Sequence, residues 1–394
     1  MTYRRAAIPA VAGGLLLTAL LWWAGASVHA LQLPGASNLV DGETVGQLRG
    51  WLLPWAYDPP GAAQFGNAMA GGDAPGPDGA SYAALEATGQ QIRFGAVLVF
   101  FSLGALFLLR RLPPERGRTL AAVLAVWAWG LVAGTLAVTV SAPWSIASGG
   151  RGSFRFLPRL AGVIASGREV LVVTALVAAV ATVLVARLTA KGAGPVPQAV
   201  VPTRAARLAT TVGTAVVAFA VVVVSQQSVA AALQSVSPSV GVLSEPGDLL
   251  RQWLLFGAWS GPGSAPFGAW LLDRGADVLL LVVVWWALRR LPMLLTRATV
   301  PAMALGGVCA TVLGLLAGEL LRVVRSAVEL PGDPLRLLSG FAEGVPAALT
   351  WGLVAGVAAA VTLRVVTGRA QVAGAAPDDP EPANPSDGPE PANP

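Results

Sequence analysis

The sequence predicts an all-α integral membrane protein of eight transmembrane helices, arranged as two parallel four-helix repeats and followed by a disordered tail. Three observations carry this. Only 12% of the residues are charged and 55% are hydrophobic, with a mean hydropathy of +0.65, which is outside the range of ordinary soluble domains. Eight largely uncharged runs, near 6–31, 92–109, 120–141, 168–187, 208–234, 275–289, 301–322 and 346–366, lie close to the roughly 20 residues that cross a bilayer core of about 30 Å. Finally, the chain repeats itself. Residues 48–66, LRGWLLPWAYDPPGAAQFG, and 250–268, LRQWLLFGAWSGPGSAPFG, share eleven of nineteen positions without a gap. Arg49 and Trp51 fall on Arg251 and Trp253, and the same offset of 202 reaches upstream through Glu43/Glu245 to Arg5/Arg207. Two whole halves are therefore related.

The first helix follows Arg4 and Arg5 and resembles a secretory signal. Its counterpart at 208–234 is internal and cannot be one, so retention as a span is expected. Residues 32–91 then form a long outer loop with six acids, one arginine (Arg49) and a Gly/Pro-rich insertion, NAMAGGDAPGPDGAS. Such composition favours exposed connecting chain. Within the loop, LRGWLL reads as a short interfacial helix with Trp51 and its leucines on one side and Arg49 on another, and LRQWLL repeats this with Arg251 and Trp253.

The second helix ends in LLRRLP and the sixth in ALRRLP. Paired guanidinium groups snorkel to phosphates and proline cannot continue the hydrogen-bond ladder, so both ends read as cytoplasmic stops. Helices three, seven and eight carry GLVAG (130–134), GLLAG (314–318) and GLVAG (352–356). Glycines four apart let a neighbouring helix lie close. The segments after helices three and seven place arginines such as Arg151, Arg155, Arg159 and Arg168 on the outer face, among apolar residues. They are expected to lie at the headgroups, where anionic lipid is a candidate partner beside the bilayer itself. An even number of helices per half returns the chain to its starting side, so the halves share one orientation. The divisions are then 1–190, a linker at 191–203, 204–369, and a Pro/acidic tail at 370–394 containing PEPANP twice.

With the N-terminus inside, 15 of the 26 Lys/Arg residues are cytoplasmic and 11 are outside. This bias predicts a plasma-membrane protein with both termini in the cytoplasm. The basic pI reflects arginines at helix ends, so nucleic acid is not an expected partner.

The duplicated halves, the outer Gly/Pro motif ending in Phe-Gly and the RRLP stops resemble the streptophobe family of very hydrophobic membrane proteins from Streptomyces and relatives. Alanine-, valine- and arginine-rich helices, a long first outer loop and a Pro-rich tail extend the likeness over most of the chain. The resemblance implies an actinobacterial membrane protein and carries over no activity and no site residue.

Chemistry-bearing residues are few. Cys309 and His29 are each alone, and no metal cluster, Walker loop or dinucleotide fingerprint occurs, so no cofactor and no enzymatic activity are expected. Polar residues inside the spans are Gln226, Gln227, Asp277 and Glu319, all toward the outer half. Asp277 stands out. Eleven uncharged residues separate it from Arg289, about 17 Å of helix and too short for a span, so the sixth helix must carry Asp277 into the membrane. Pairing with Arg274 or with Arg322 beside Glu319 would offset its cost there. These features favour a structural, sensory or accessory membrane component with no named protein partner. The alternatives are a transporter with its path between the repeats and, with weaker support, a glycosyltransferase using Asp41 and Glu43.

Overall fold

The structure is a computed structural model of the chain and describes residues 3–32, 42–57, 77–112, 117–148, 156–190, 202–236, 245–261, 266–296, 298–329 and 340–374. Residues 375–394 of the tail, 191–201 of the linker, Arg151, Arg155 and much of the Gly/Pro insertion lie outside the described residues, while 370–374, expected in the tail, end the last helix. The described part is helical and contains no β-strand, only one isolated bridge between Gln226 and Trp259. In chain order the helices are α1 (Tyr3–Ala26), α2 (Gly42–Leu52), α3 (Pro77–Arg111), α4 (Thr119–Ser148), α5 (Phe156–Ala165), α6 (Arg168–Thr189), α7 (Thr203–Phe219), α8 (Gln227–Gln234), α9 (Gly247–Leu254), α10 (Phe267–Leu294), α11 (Val300–Glu329) and α12 (Val345–Gly374).

Seven helices are long and apolar enough to cross a membrane: α1, α3, α4, α6, α7 with its extension to Val224, α11 and α12. They fit a polytopic, membrane-embedded protein. α10 is 28 residues long but carries Asp273, Arg274, Asp277, Arg289 and Arg290, which keeps it out of that set.

Pairing within the bundle follows one scheme twice. α1 packs on α3 and α6, and α4 on α3 and α6; α7 packs on α10 and α12, and α11 on α10 and α12. The two groups meet where α4 lies against α11 and α12. Cys309 sits in that seam, fully surrounded, and donates its thiol to the Ala125 carbonyl oxygen at 3.4 Å. Leu131, Val132, Val308, Val312 and Leu315 belong to the same buried apolar cluster.

Small residues set the spacing. A Cβ at Gly356 would stand 2.3 Å from the Met303 carbonyl oxygen, and one at Gly352 would stand 2.7 Å from the Val308 Cα, so α11 and α12 touch backbone to backbone. Gly314 and Gly318 do the same against the Leu280 and Ala276 carbonyls of α10, at 2.8 and 3.1 Å. Contacts this close favour glycine because dispersion and Cα–H···O contacts replace side-chain packing.

Four expectations are corrected. The first helix ends at Ala26, not 31, because Ser27 turns its hydroxyl back to the Trp23 carbonyl oxygen and the chain enters a turn. The 208–234 run breaks: α7 widens into a π-turn over Ala220–Val224, Gln226 is extended, and α8 starts afresh. Consecutive valines weaken the helix there, and the freed backbone pairs with Trp259, whose N–H reaches the Ser225 oxygen and whose oxygen accepts from Gln227, both at 2.9 Å. Residues 77–91, expected in an outer loop, form the first turns of α3. Their Ala-rich sequence is helix-forming, and Glu86 accepts a hydrogen bond from Ser148 Oγ at 2.5 Å. α4 likewise runs through Pro143 to Ser148, seven residues past its expected end.

Candidate functional site

The glycine contacts between α10 and α11 place their polar residues together. With Ala276 against Gly318, Asp277 faces the next turns of α11, and its two oxygens are held by different arginines. Arg274 Nη1 lies 2.7 Å from Oδ2, and Arg322 Nη2 lies 3.1 Å from Oδ1. Arg322 also bonds Glu319 at 2.6 Å. One turn outward, Arg325 bonds Asp273 at 2.8 Å and the Ala269 carbonyl oxygen at 3.4 Å. Both partners suggested by the sequence for Asp277 are thus engaged at once. Asp277 is 18% exposed, enough to be partly wetted, and the chain of alternating charges neutralises it locally.

This chain of charges forms one wall of a cavity of about 770 Å³ at the end of the bundle where α5, α8 and α9 lie. α5 and α9, one from each group of helices, touch over it. α5 contributes Pro158, Ala161 and Gly162, and α9 contributes Asp248, Arg251 and Gln252. Val221 and Ser225 of the helix break, Trp259, Arg168 and Glu343 complete the rim. Trp259 is fixed by its backbone pairing and by its indole N–H, 3.1 Å from the Val222 oxygen, and its ring underlies the Arg274 guanidinium at 5.1 Å. Stacking of this kind holds a guanidinium without using up its hydrogen-bond donors. Arg168 opens α6 directly after Gly167, whose φ of +70° turns the chain into the helix.

A second polar knot lies in the first group of helices. Arg93, buried in α3, donates Nε to Ser141 Oγ at 2.9 Å, Nη2 to Ser145 Oγ at 3.3 Å, and Nη1 to the Pro54 carbonyl oxygen. Trp55 packs beneath it and donates its indole N–H to the Gly167 oxygen at 2.8 Å. The turn after α2 is thereby fastened to α3, α4 and the start of α6.

Of the sequence-selected residues, Asp277, Glu319 and Arg251 come together at the cavity. Gln226 and Gln227 do not line the cavity and are exposed at the helix break, where the buried polar residue is Ser225. Arg49 is exposed on α2, and Trp51 and Trp253 are half-buried away from the cavity. His29 is exposed just past α1. Arg93, Trp259 and Glu343 carry weight that no sequence motif signals. A signal for Arg93 existed, since it is the one charged residue between Glu86 and Arg110.

The two groups of helices are chemically unequal at this depth. At the offset of 179, Asp273, Arg274 and Asp277 match Phe94, Gly95 and Leu98, and aligning GLVAG with GLLAG puts Glu319 and Arg322 on Thr135 and Val138. The chain of paired carboxylates and arginines belongs to the second group alone, while the first group gives the cavity Arg168 and the small residues of α5. Among the described residues, no three His, Cys, Asp or Glu side chains gather as a metal would require.

No protein-family model, curated protein or solved structure matches the chain. The class that fold and site define is therefore the broad one, a polytopic membrane protein whose described residues are helical and enclose a charged cavity at one end of the bundle.

Proposed function

We propose that the chain is an eight-span plasma-membrane protein of two parallel four-helix repeats, with both termini cytoplasmic, acting as a sensory or accessory component through its outer cavity and not as an enzyme. α10 is the eighth span, its charges tolerated because Asp277 and Arg274 reach the cavity while Arg289 and Arg290 lie at the other end over Trp285 and Trp286. The repeated pairing scheme supports the duplication, as does the contact of α4 with α11, its counterpart, which a two-fold axis along the membrane normal requires. The likeness to streptophobe-type proteins agrees with this reading, as do lipid contacts of the outer arginines.

The observation that carries the proposal is the contrast along the seam. Charged groups line the cavity, and below them α4 and α11 close on the buried Cys309, Val308 and Val312, with the buried hydroxyls of Thr135 and Thr311 bonded to the Leu131 and Gly307 carbonyl oxygens of their own helices. A sensor or docking component needs an open face and a rigid bundle; a transporter needs a polar route onward. The cavity at the junction favours transport as the second reading, because paired repeats commonly hold a substrate between them.

Cys309, the single cysteine, separates the two readings. In liposomes, a charged thiol reagent added to either side should leave it unmodified for hours, whereas the same reagent should label an Ala258→Cys, Cys309→Ala variant at the cavity rim within minutes. Rapid modification of Cys309 from either side would establish a hydrated path through the seam and favour the transporter.

A further inference from the structure

The geometry points to the cavity as a binding site for a compact zwitterion, a molecule carrying a phosphate or carboxylate together with an ammonium group. This rests on the reading of the cavity as the working surface of the protein.

Most charged side chains of the lining are already paired. Arg274 and Arg322 are spent on Asp277 and Glu319, and Asp273 is spent on Arg325. Asp248 accepts a long hydrogen bond from Gln234 at 3.4 Å. Three charged side chains of the lining have no hydrogen bond or ion pair among the described residues: Arg168, Arg251 and Glu343. Three buried polar atoms of the lining are also unsatisfied, the Nε donors of Arg168 and Arg274 and the Gln252 Oε1 acceptor. Leaving a buried donor or acceptor without a partner is unfavourable, so such atoms mark places where something else bonds.

The free groups sort by what they can hold. Arg168 and Arg251, one from each group of helices, offer planar forks of donors suited to phosphate or carboxylate oxygens. Glu343 and the Gln252 amide oxygen offer acceptors suited to an N–H-bearing cation. A simple anion would satisfy the first pair and be repelled by Glu343 and Asp248. A simple cation would meet the reverse. A zwitterion satisfies both, and the volume of about 770 Å³ accommodates one. The interruption of α7 lines the same space through Val221 and Ser225, and π-turns inside helices recur at functional sites.

The same chemistry occurs free, as phosphoethanolamine, and as the headgroup of phosphatidylethanolamine. The full chain carrying Ala258→Cys and Cys309→Ala is reconstituted in phosphatidylcholine nanodiscs, and its labelling by a charged thiol reagent is timed. Phosphatidylcholine is a suitable background because its quaternary nitrogen has no N–H to give Glu343 and Gln252. Slowing by soluble phosphoethanolamine supports the inference with a free ligand. Slowing only when phosphatidylethanolamine is built into the disc supports it with a lipid. In either case Arg251→Gln and Glu343→Gln, both at exposed positions, should each raise the half-protecting concentration by about tenfold, the scale of one lost charge-assisted hydrogen bond. Arg251→Lys, which keeps the charge and loses the fork, should fall between. Equal protection by glycerol phosphate would overturn the zwitterion assignment. Rapid labelling that none of these probes slows would overturn binding while leaving the open cavity intact. A thiol at position 258 that does not label at all would remove the cavity reading itself.

Discussion

Asp277 offers the sharpest energetic test of the bundle. Its carboxylate bridges Arg274 at 2.7 Å and Arg322 at 3.1 Å, and at an effective dielectric of about 20 the gross attractions are about 6 and 5 kcal/mol. Most of that is cancelled by desolvation, since each ion loses several kcal/mol of hydration. Replacement by asparagine leaves Arg322 on Glu319 and Arg274 over the Trp259 ring, so no cation is stranded outright. The loss should fall below the 3–5 kcal/mol typical of a broken fully buried pair, at about 1–3 kcal/mol. A double-mutant cycle of Asp277→Asn with Arg322→Gln isolates the direct contact. Unfolding by sodium dodecyl sulfate in mixed micelles, followed by tryptophan fluorescence, should give a coupling energy of about 1–2 kcal/mol. Pairing Asp277→Asn with the remote Arg93→Gln should be additive within about 0.5 kcal/mol. A coupling for Asp277 and Arg322 inside that same margin would mean the carboxylate is solvated and contributes nothing to joining α10 to α11.

Two further outcomes follow from packing and from the first polar knot. Gly356→Leu should lower the monodisperse fraction on size-exclusion chromatography sharply, because its Cβ meets Met303 backbone at 2.3 Å and overpacking of this kind costs about 3 kcal/mol; Gly268→Ala, with nothing within 4 Å, should match the parent. Arg93→Gln should speed hydrogen exchange at the Ala56 amide about tenfold or more, since the turn loses its charged donor to Pro54, while the Leu255 amide at the end of α9 stays unchanged.

The helical, membrane-embedded character was legible because hydrophobic length is a strong signal. The segment 120–141 is uncharged for longer than a bilayer core is thick, and 346–366 carries one charge, Arg364, near its end; the helices α4 and α12 occupy them. Element ends were harder to read. Whether 77–91 is loop or helix depends on a preference of a few tenths of a kcal/mol per residue, which glycine and proline nearby obscured. The break at Ser225 depends on Trp259, thirty-four residues onward, and no local periodicity reports a partner at that distance. For the site, Asp277 was legible through a simple length argument, and its arginine partners lay at helical spacing or beside Glu319 on the next span. Glu343 and Gln252 were not, since each becomes notable only when α9, α11 and the start of α12 enclose one space. Gln226 and Gln227 do not join Asp277 and Glu319 at the cavity, because they fall at the helix break that Ser225 and Trp259 fix.

The central claim is that the halves run parallel, and this requires α10 to cross the membrane. Reporter fusions at equivalent points test it directly. Fusions after Arg116 and Ala298, between the second and third helices of each half, should both report cytoplasm, as should one after Lys191, and a fusion after Asp73 should report the outside. An Ala298 fusion on the opposite side from Arg116 would mean that α10 does not span, that the halves are not parallel repeats, and that the charged cavity is not outer-facing.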